Sequence, residues 1–161
     1  MSSKTTNGCA AGSGETTTND IMKITFDCDD STDEGVQFFY RAPTRGDEGT
    51  ITVSFDWLGS DVTGDNDVVW GAKCTTFQDD EALDGTAFGT AQTVEQSQGS
   101  AADDVNMSAD TSAITCAGVP TSADFWVIEI FRDADVAGDD HTGDALLLGV
   151  TVNWTSVSQS N

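Results

Sequence analysis

From residue 21 onward apolar and polar side chains alternate with a period of two, the mark of strands that bury one face. The stretch 50-TITVSFDWLG-59 carries the pattern most cleanly. It sets Ile51, Val53, Phe55 and Trp57 on one face and Thr52, Ser54 and Asp56 on the other. The same beat puts Met22, Ile24 and Phe26 together in 21-IMKITFDC-28, and Val68, Trp70, Ala72 and Cys74 together in 67-DVVWGAKCTTF-77. A strand in 36-VQFFYRAP-43 stops at Pro43, and 89-GTAQTVEQS-97 reads as a more polar strand with one exposed face. The short 104-DVNMS-108 is expected to point Val105 and Met107 inward. In 124-DFWVIEIFRD-133 the residues Trp126, Ile128 and Ile130 share a face; in 145-ALLLGVTVNWTSV-157 Leu146, Leu148, Val150, Val152 and Trp154 are in phase.

Between these runs lie loops rich in Gly and Asp, residues that tolerate positive φ or bond nearby backbone. No segment holds a helical period beyond a single turn at 81-EALDGTAF-88. About eight strands joined by such turns predict an all-β, two-sheet antiparallel sandwich. Residues 1–20, MSSKTTNGCAAGSGETTTND, carry almost no large apolar side chain and predict a flexible N-terminal arm. Residues 21–157 form the sandwich domain and 158–161 a C-terminal tail.

Composition narrows the function. The chain of 161 residues has 28 Asp+Glu against 6 Lys+Arg, a net charge of −22. Such a charge repels nucleic acid and anionic membranes, keeps the protein soluble and suits a saline medium. No apolar run approaches the roughly 20 residues of a membrane span. The N-terminus lacks the apolar core of a secretory signal, so we expect a trimmed chain or release without the usual export, as by lysis.

Four cysteines, Cys9, Cys28, Cys74 and Cys116, contain no CxxC pair, which argues against zinc ribbons and thioredoxin-like chemistry. Four cysteines allow three full pairings, and buried free thiols are the plainer alternative. We favour Cys74–Cys116 and Cys9–Cys28, and disulfides would place the protein in an oxidising, extracellular setting.

The densest candidate chemistry is 133-DADVAGDDHTGD-144, with five aspartates and the one histidine of the chain. Asp133, Asp135, Asp139, Asp140 and Asp144 supply oxygens suited to Ca²⁺. The start faintly resembles an EF-hand loop, but no Glu stands at its twelfth position and two strong strands flank it. The preferred reading is therefore a solvated turn, with Ca²⁺ as the alternative. Asp61, Asp65 and Asp67 form a second acidic loop with the same reading. His141 has no recognisable Ser or Cys partner nearby, and no catalytic residue is assigned. Trp57, Trp70, Trp126 and Trp154 fall in phase with apolar neighbours and read as core, whereas Tyr40 with Phe38 or Phe39 would be exposed if its strand is an edge. Asn106 and Asn153 begin N-x-[ST] sequons and are glycosylation candidates, with chance occurrence the default.

The order of pieces along residues 34–155 resembles a jelly-roll domain recurrent in structural proteins of tailed bacteriophages and related environmental sequences. The pieces are the strand ending in Trp57, then VVWGAK, QDDEALDGTAFGTAQTVEQ, SADTSAIT, FWVIEIFRDADVAGDD and GDALLLGVTVNW. This resemblance implies a jelly-roll sandwich of about eight strands and a virion or fibre building block, often oligomeric, with no active-site motif to carry over. Cys74 and Cys116 depart from the usual pattern and suggest an added clamp. The expectation is a non-catalytic, self-assembling structural subunit, extracellular or in a virion, whose partners are copies of itself. The alternative is an extracellular carbohydrate-binding module, Ca²⁺-assisted, that meets surface glycans.

Overall fold

The computed structural model describes residues 1–41, 46–60, 66–118 and 124–156, which hold eleven strands and no helix. They are β1 (Ser2–Ser3), β2 (Ala10–Glu15), β3 (Met22–Cys28), β4 (Glu34–Arg41), β5 (Gly46–Gly59), β6 (Asp67–Phe77), β7 (Gln92–Ser97), β8 (Asn106–Met107), β9 (Ile114–Thr115), β10 (Phe125–Arg132) and β11 (Ala145–Ser156). Two antiparallel sheets run β1-β4-β10-β6-β7 and β2-β3-β11-β5-β8, with β9 also on β5. Set β1, β2 and β9 aside, and the sheets read β4-β10-β6-β7 and β3-β11-β5-β8. The remaining chain changes sheet at every step except β6 to β7, which is the interleaving of a jelly-roll sandwich.

The core follows the alternation. Ile51, Val53, Phe55 and Trp57 of β5 are buried, as are Trp70, Ala72 and Cys74 of β6 and Trp126, Ile128 and Ile130 of β10. Phe55 stacks on Trp70 at 5.8 Å, which ties the two sheets together through their inner faces. Each large apolar side chain buried this way contributes about 1.5–3 kcal/mol. Trp154 is partly buried at the rim, 4.6 Å from Trp126 and 5.3 Å from Tyr40.

Four expectations need correction. Residues 1–20 are not a free arm: β1 pairs with β4, β2 pairs with β3, and Cys9 is fully buried. Backbone pairing and a disulfide order this segment, and neither registers in its side-chain composition. Met22 and Ile24 are 64% and 66% exposed, because β3 pairs with β11 only over Phe26–Cys28 and the rest has β2 alone as a neighbour. Val105 and Met107 are also exposed rather than inward, since β8 is a two-residue edge strand that turns Asn106 in instead. In β11 a bulge between Leu147 and Gly149 switches the phase. Leu147 sits opposite Trp57 and Val150 opposite Phe55, so Leu147 takes the buried place expected for Leu146 and Leu148.

Two disulfides join Cys9 to Cys28 and Cys74 to Cys116, with Cα atoms 4.4 and 4.7 Å apart, the favoured pairing among the three. The tail 158–161 lies outside the described residues.

Candidate functional site: an acidic loop and an aromatic sheet face

The loop 133–144 is built on Arg132, the last residue of β10. Alternation aims Arg132 inward, where it is fully buried. A buried guanidinium costs several kcal/mol unless its charge and its donors are met. Here all five N–H groups have acceptors. Nε donates to Asp139 Oδ2 at 3.0 Å and Nη2 to Asp139 Oδ1 at 2.7 Å, a two-pronged carboxylate fork. Nη2 also donates to the His141 carbonyl (2.6 Å), and Nη1 to the carbonyls of Gly143 (2.7 Å) and Cys28 (3.3 Å). Asp139 Oδ2 accepts from the Val69 amide as well, and Asp140 Oδ1 from the Asp67 amide. Half of the loop is thus a clip that closes the sandwich end on a single cation. His141 is 2% exposed and lies edge-on to Trp57 at 6.2 Å, sealed from solvent.

The proposed five-aspartate set does not assemble. Asp139 and Asp140 are committed to the clip, and Asp144 stands beside Asp27, Asp29 and Asp30 instead. Asp133 and Asp135 come together with Asp33 from another loop, and one oxygen of each lies within 4.8 Å of the others. Asp33 is held there by accepting the Ala134 amide at 2.9 Å. Burial, and then the charges of Asp33, Asp135 and Asp139, push the Asp133 carboxyl above its ordinary range. Asp144 is raised by burial and its three acidic neighbours, partly offset by Arg132. Asp29 is lowered, because the Ser31 hydroxyl and amide both donate to it. In the second acidic loop, Asp61 and Asp65 lie outside the described residues, while Asp67 is bonded by the Ser97 hydroxyl.

The two sequon asparagines differ. Asn106 is buried; its carbonyl accepts the Gly99 amide and its amide donates to the Asp104 carbonyl, so it is corrected from glycan acceptor to structural residue. Asn153 is exposed on β11 and donates to Asp110.

A second group of side chains, largely missed in the sequence, lies on the outer face of the β4-β10-β6 sheet. Register puts Phe39, Val127 and Thr75 in one row, and Gln37, Glu129 and Lys73 in the next. Phe39 stacks on Phe125 at 5.4 Å, and both remain solvent-facing at 58% and 39% exposure. Beside them runs a groove of about 600 Å³ lined by Arg41, Phe77, Leu83 and Phe125, with Asp79 and Asp80 at its side. Glu129 is 4% exposed. Its Oε1 meets Lys4 Nζ at 3.0 Å and Lys73 Nζ at 3.1 Å, and its Oε2 accepts Gln37 Nε2 at 2.7 Å. Lys73 also lies over the Phe88 and Phe131 rings. Burial raises Glu129, but the bonds from Gln37 and Lys4 and the charge of Lys73 together carry it below its ordinary range.

Comparison with known proteins identifies no relative: no family model, no curated protein and no solved structure matches this chain. The resemblance drawn from the order of the sequence pieces therefore stays a proposal.

Proposed function

We propose that the protein is a non-catalytic structural subunit that self-associates in an extracellular fibre or virion. One observation carries this reading: the half-open edge of β4. Strand β1 pairs only with Val36 and Gln37, and Gly8 bridges Gly35. Beyond Gln37, β4 has β10 on one side and, among the described residues, no strand on the other. That stretch is Phe38, Phe39, Tyr40 and Arg41, with Phe39 and Tyr40 exposed. An open apolar edge is a template for strand addition by another chain. The occupant we favour is a second copy. A second copy presents the same half-open stretch of β4, so the two edges can pair with each other. Two disulfides support an oxidising location, and the jelly-roll topology agrees with the phage-like order of sequence pieces.

The test is direct imaging of concentrated protein by negative stain, with sedimentation beside it. Wild type should form rods, rings or shells, and Phe39→Lys should shift it towards monomer by placing charge on the edge. A monomer at all concentrations and salt levels overturns the proposal. The second reading, a glycan-binding module, is favoured by the Phe39–Phe125 stack with carboxylates at its side; binding on a glycan array by a monodisperse monomer would select it. Ca²⁺ at Asp33, Asp133 and Asp135 is proposed as a stabiliser in either case.

A further inference from the structure

The row Lys73–Glu129–Gln37 holds more than an ion pair. Glu129 is the sole acid on the inner strand β10, it is almost fully buried, and its two oxygens face chemically different partners. Oε1 receives an amine, Lys4 Nζ at 3.0 Å, and Oε2 receives a carboxamide nitrogen, Gln37 Nε2 at 2.7 Å. One carboxylate therefore touches both a nucleophile and the leaving group of an amide. Register brings this about: Ser2 pairs with Gln37 and Ser3 with Val36, which carries Lys4 alongside β4, while Gln37 pairs with Glu129. Lys73 occupies the same oxygen from the opposite side and is itself held by two aromatic rings, so it fixes the carboxylate in place.

We propose that Lys4 and Gln37 form an intramolecular isopeptide cross-link, with Glu129 as the proton relay. Lys4 Nζ, after losing a proton to Glu129 Oε1, attacks Gln37 Cδ and a new C–N bond forms. The carboxyl returns that proton through Oε2 to Gln37 Nε2, the original C–N bond breaks, and the departing ammonia takes the remaining surplus proton of Nζ and leaves as ammonium. Alkylammonium plus primary amide gives secondary amide plus ammonium, so no oxidant, reductant or cofactor is required. Holding the reactants together supplies the effective concentration, and one positioned carboxyl serves as base and then as acid. The product would fasten the N-terminal segment to β4 beside the edge open to another chain. The inference stands on the Glu129 cluster alone and holds whether or not the protein self-associates.

Intact-mass spectrometry of the folded, oxidised full chain is the test. The expected mass is that of the sequence less four hydrogens for the disulfides and less one ammonia. Because a succinimide at Asn7–Gly8 would remove the same mass, digestion must also yield a peptide joining Lys4 to Gln37. Lys4→Arg keeps the charge but cannot be acylated, so it should fold and lose the mass change; Lys73→Arg should retain it. Glu129→Gln should abolish the cross-link, and should it fail to fold, wild type and Lys4→Arg still decide the matter. A wild-type mass showing the disulfides alone, with the Lys4 and Gln37 peptides recovered separately, reduces the cluster to an ion pair and overturns the inference. A mass change that survives Lys4→Arg and vanishes in Lys73→Arg overturns the choice of lysine.

Discussion

Two halves of one acidic loop behave in opposite ways. Around Asp139 the loop is bound to a buried cation: the Asp139 carboxylate takes Arg132 and the Val69 amide, and the His141 and Gly143 carbonyls take Arg132 as well. Around Asp133, six residues earlier, the nearest charged groups are other carboxylates. The residue type is the same, so the difference comes from what the flanking strand delivers. Alternation along β10 turns Arg132 towards the core, and the chain must bring an acid and several carbonyls to meet it. Residues of the loop beyond that reach are left to repel one another. An aspartate-rich turn is therefore two objects, one structural and one electrostatically uncomfortable.

The largest expected effect lies on the clipped side. Asp139→Ala strands a buried guanidinium and should cost about 3–5 kcal/mol, a fall in Tm of roughly 10 °C. Thermal melts check it, and a change below about 1 kcal/mol, the range of an exposed pair, would erase the distinction between the two halves. Next comes the anchor of the clip. The Cys28 carbonyl is one of the Arg132 acceptors and Cys28 is bridged to Cys9 across 19 residues. Replacing both cysteines with Ala should cost about 3 kcal/mol through the freed unfolded chain. In a double-mutant cycle this loss should couple to Asp139→Ala, since both changes act on the same guanidinium. Strict additivity would show that bridge and clip are independent.

Parts of this were legible in the residues. The two-residue beat of 51–57 and 126–130 predicted both central strands and their buried faces, because β10 pairs along its length with β4 and β6, β5 pairs along its length with β11, and the inner faces of their sheets meet across the sandwich. The beat misled at Met22, Ile24, Val105 and Met107, where strands run past their neighbours and alternation no longer implies cover. It was out of phase at Leu146 and Leu148 because one bulge exchanges faces. The N-terminal segment was invisible to composition, since backbone pairing and Cys9 order it. For the candidate sites, the loop was read correctly as a strand connection but wrongly as a solvated one throughout, since the Asp139 side chain and His141 are buried, and the Arg132 that draws them in was not read at all. The signal was present: a lone Arg ending FWVIEIF, and a lone Glu within it, are charges in strands buried on both faces. Such charges must be paired, although sequence does not say with what. Lys4 and Gln37 lie about 90 residues or more from Glu129, and only the register of β1, β4 and β10 brings them together.

Acid should sharpen the contrast at intermediate scale. Asp133 and Asp144 are raised in the folded protein, so what they contribute is fully present below the unfolded carboxyl value, about 4, and is lost as pH rises through their folded values. Asp29 and Glu129 are lowered, so their contribution is present above that value and is lost as pH falls through their folded values. Stability should thus rise as pH falls from 7 towards about 4 and decline below it. The rise should be shallower in Asp133→Asn than in wild type, measured by urea midpoints across pH. Equal slopes would mean that the overall charge of −22, not this cluster, governs the response.

The smallest effect tests the unclipped half alone. Asp133→Asn removes one of three crowded carboxylates without touching Arg132, and should stabilise the protein at pH 7 by about 0.5 kcal/mol, roughly 1–2 °C in Tm. Its sign is the point, because the chemically identical change at Asp139 must be destabilising. Ca²⁺ offers the same relief by another route. A cation bound by the folded state alone raises stability with concentration, so millimolar Ca²⁺ should raise the wild-type Tm and leave that of Asp133→Asn nearly unchanged. Should Ca²⁺ raise both equally, it is screening the whole acidic surface, and Asp33, Asp133 and Asp135 are then merely neighbours.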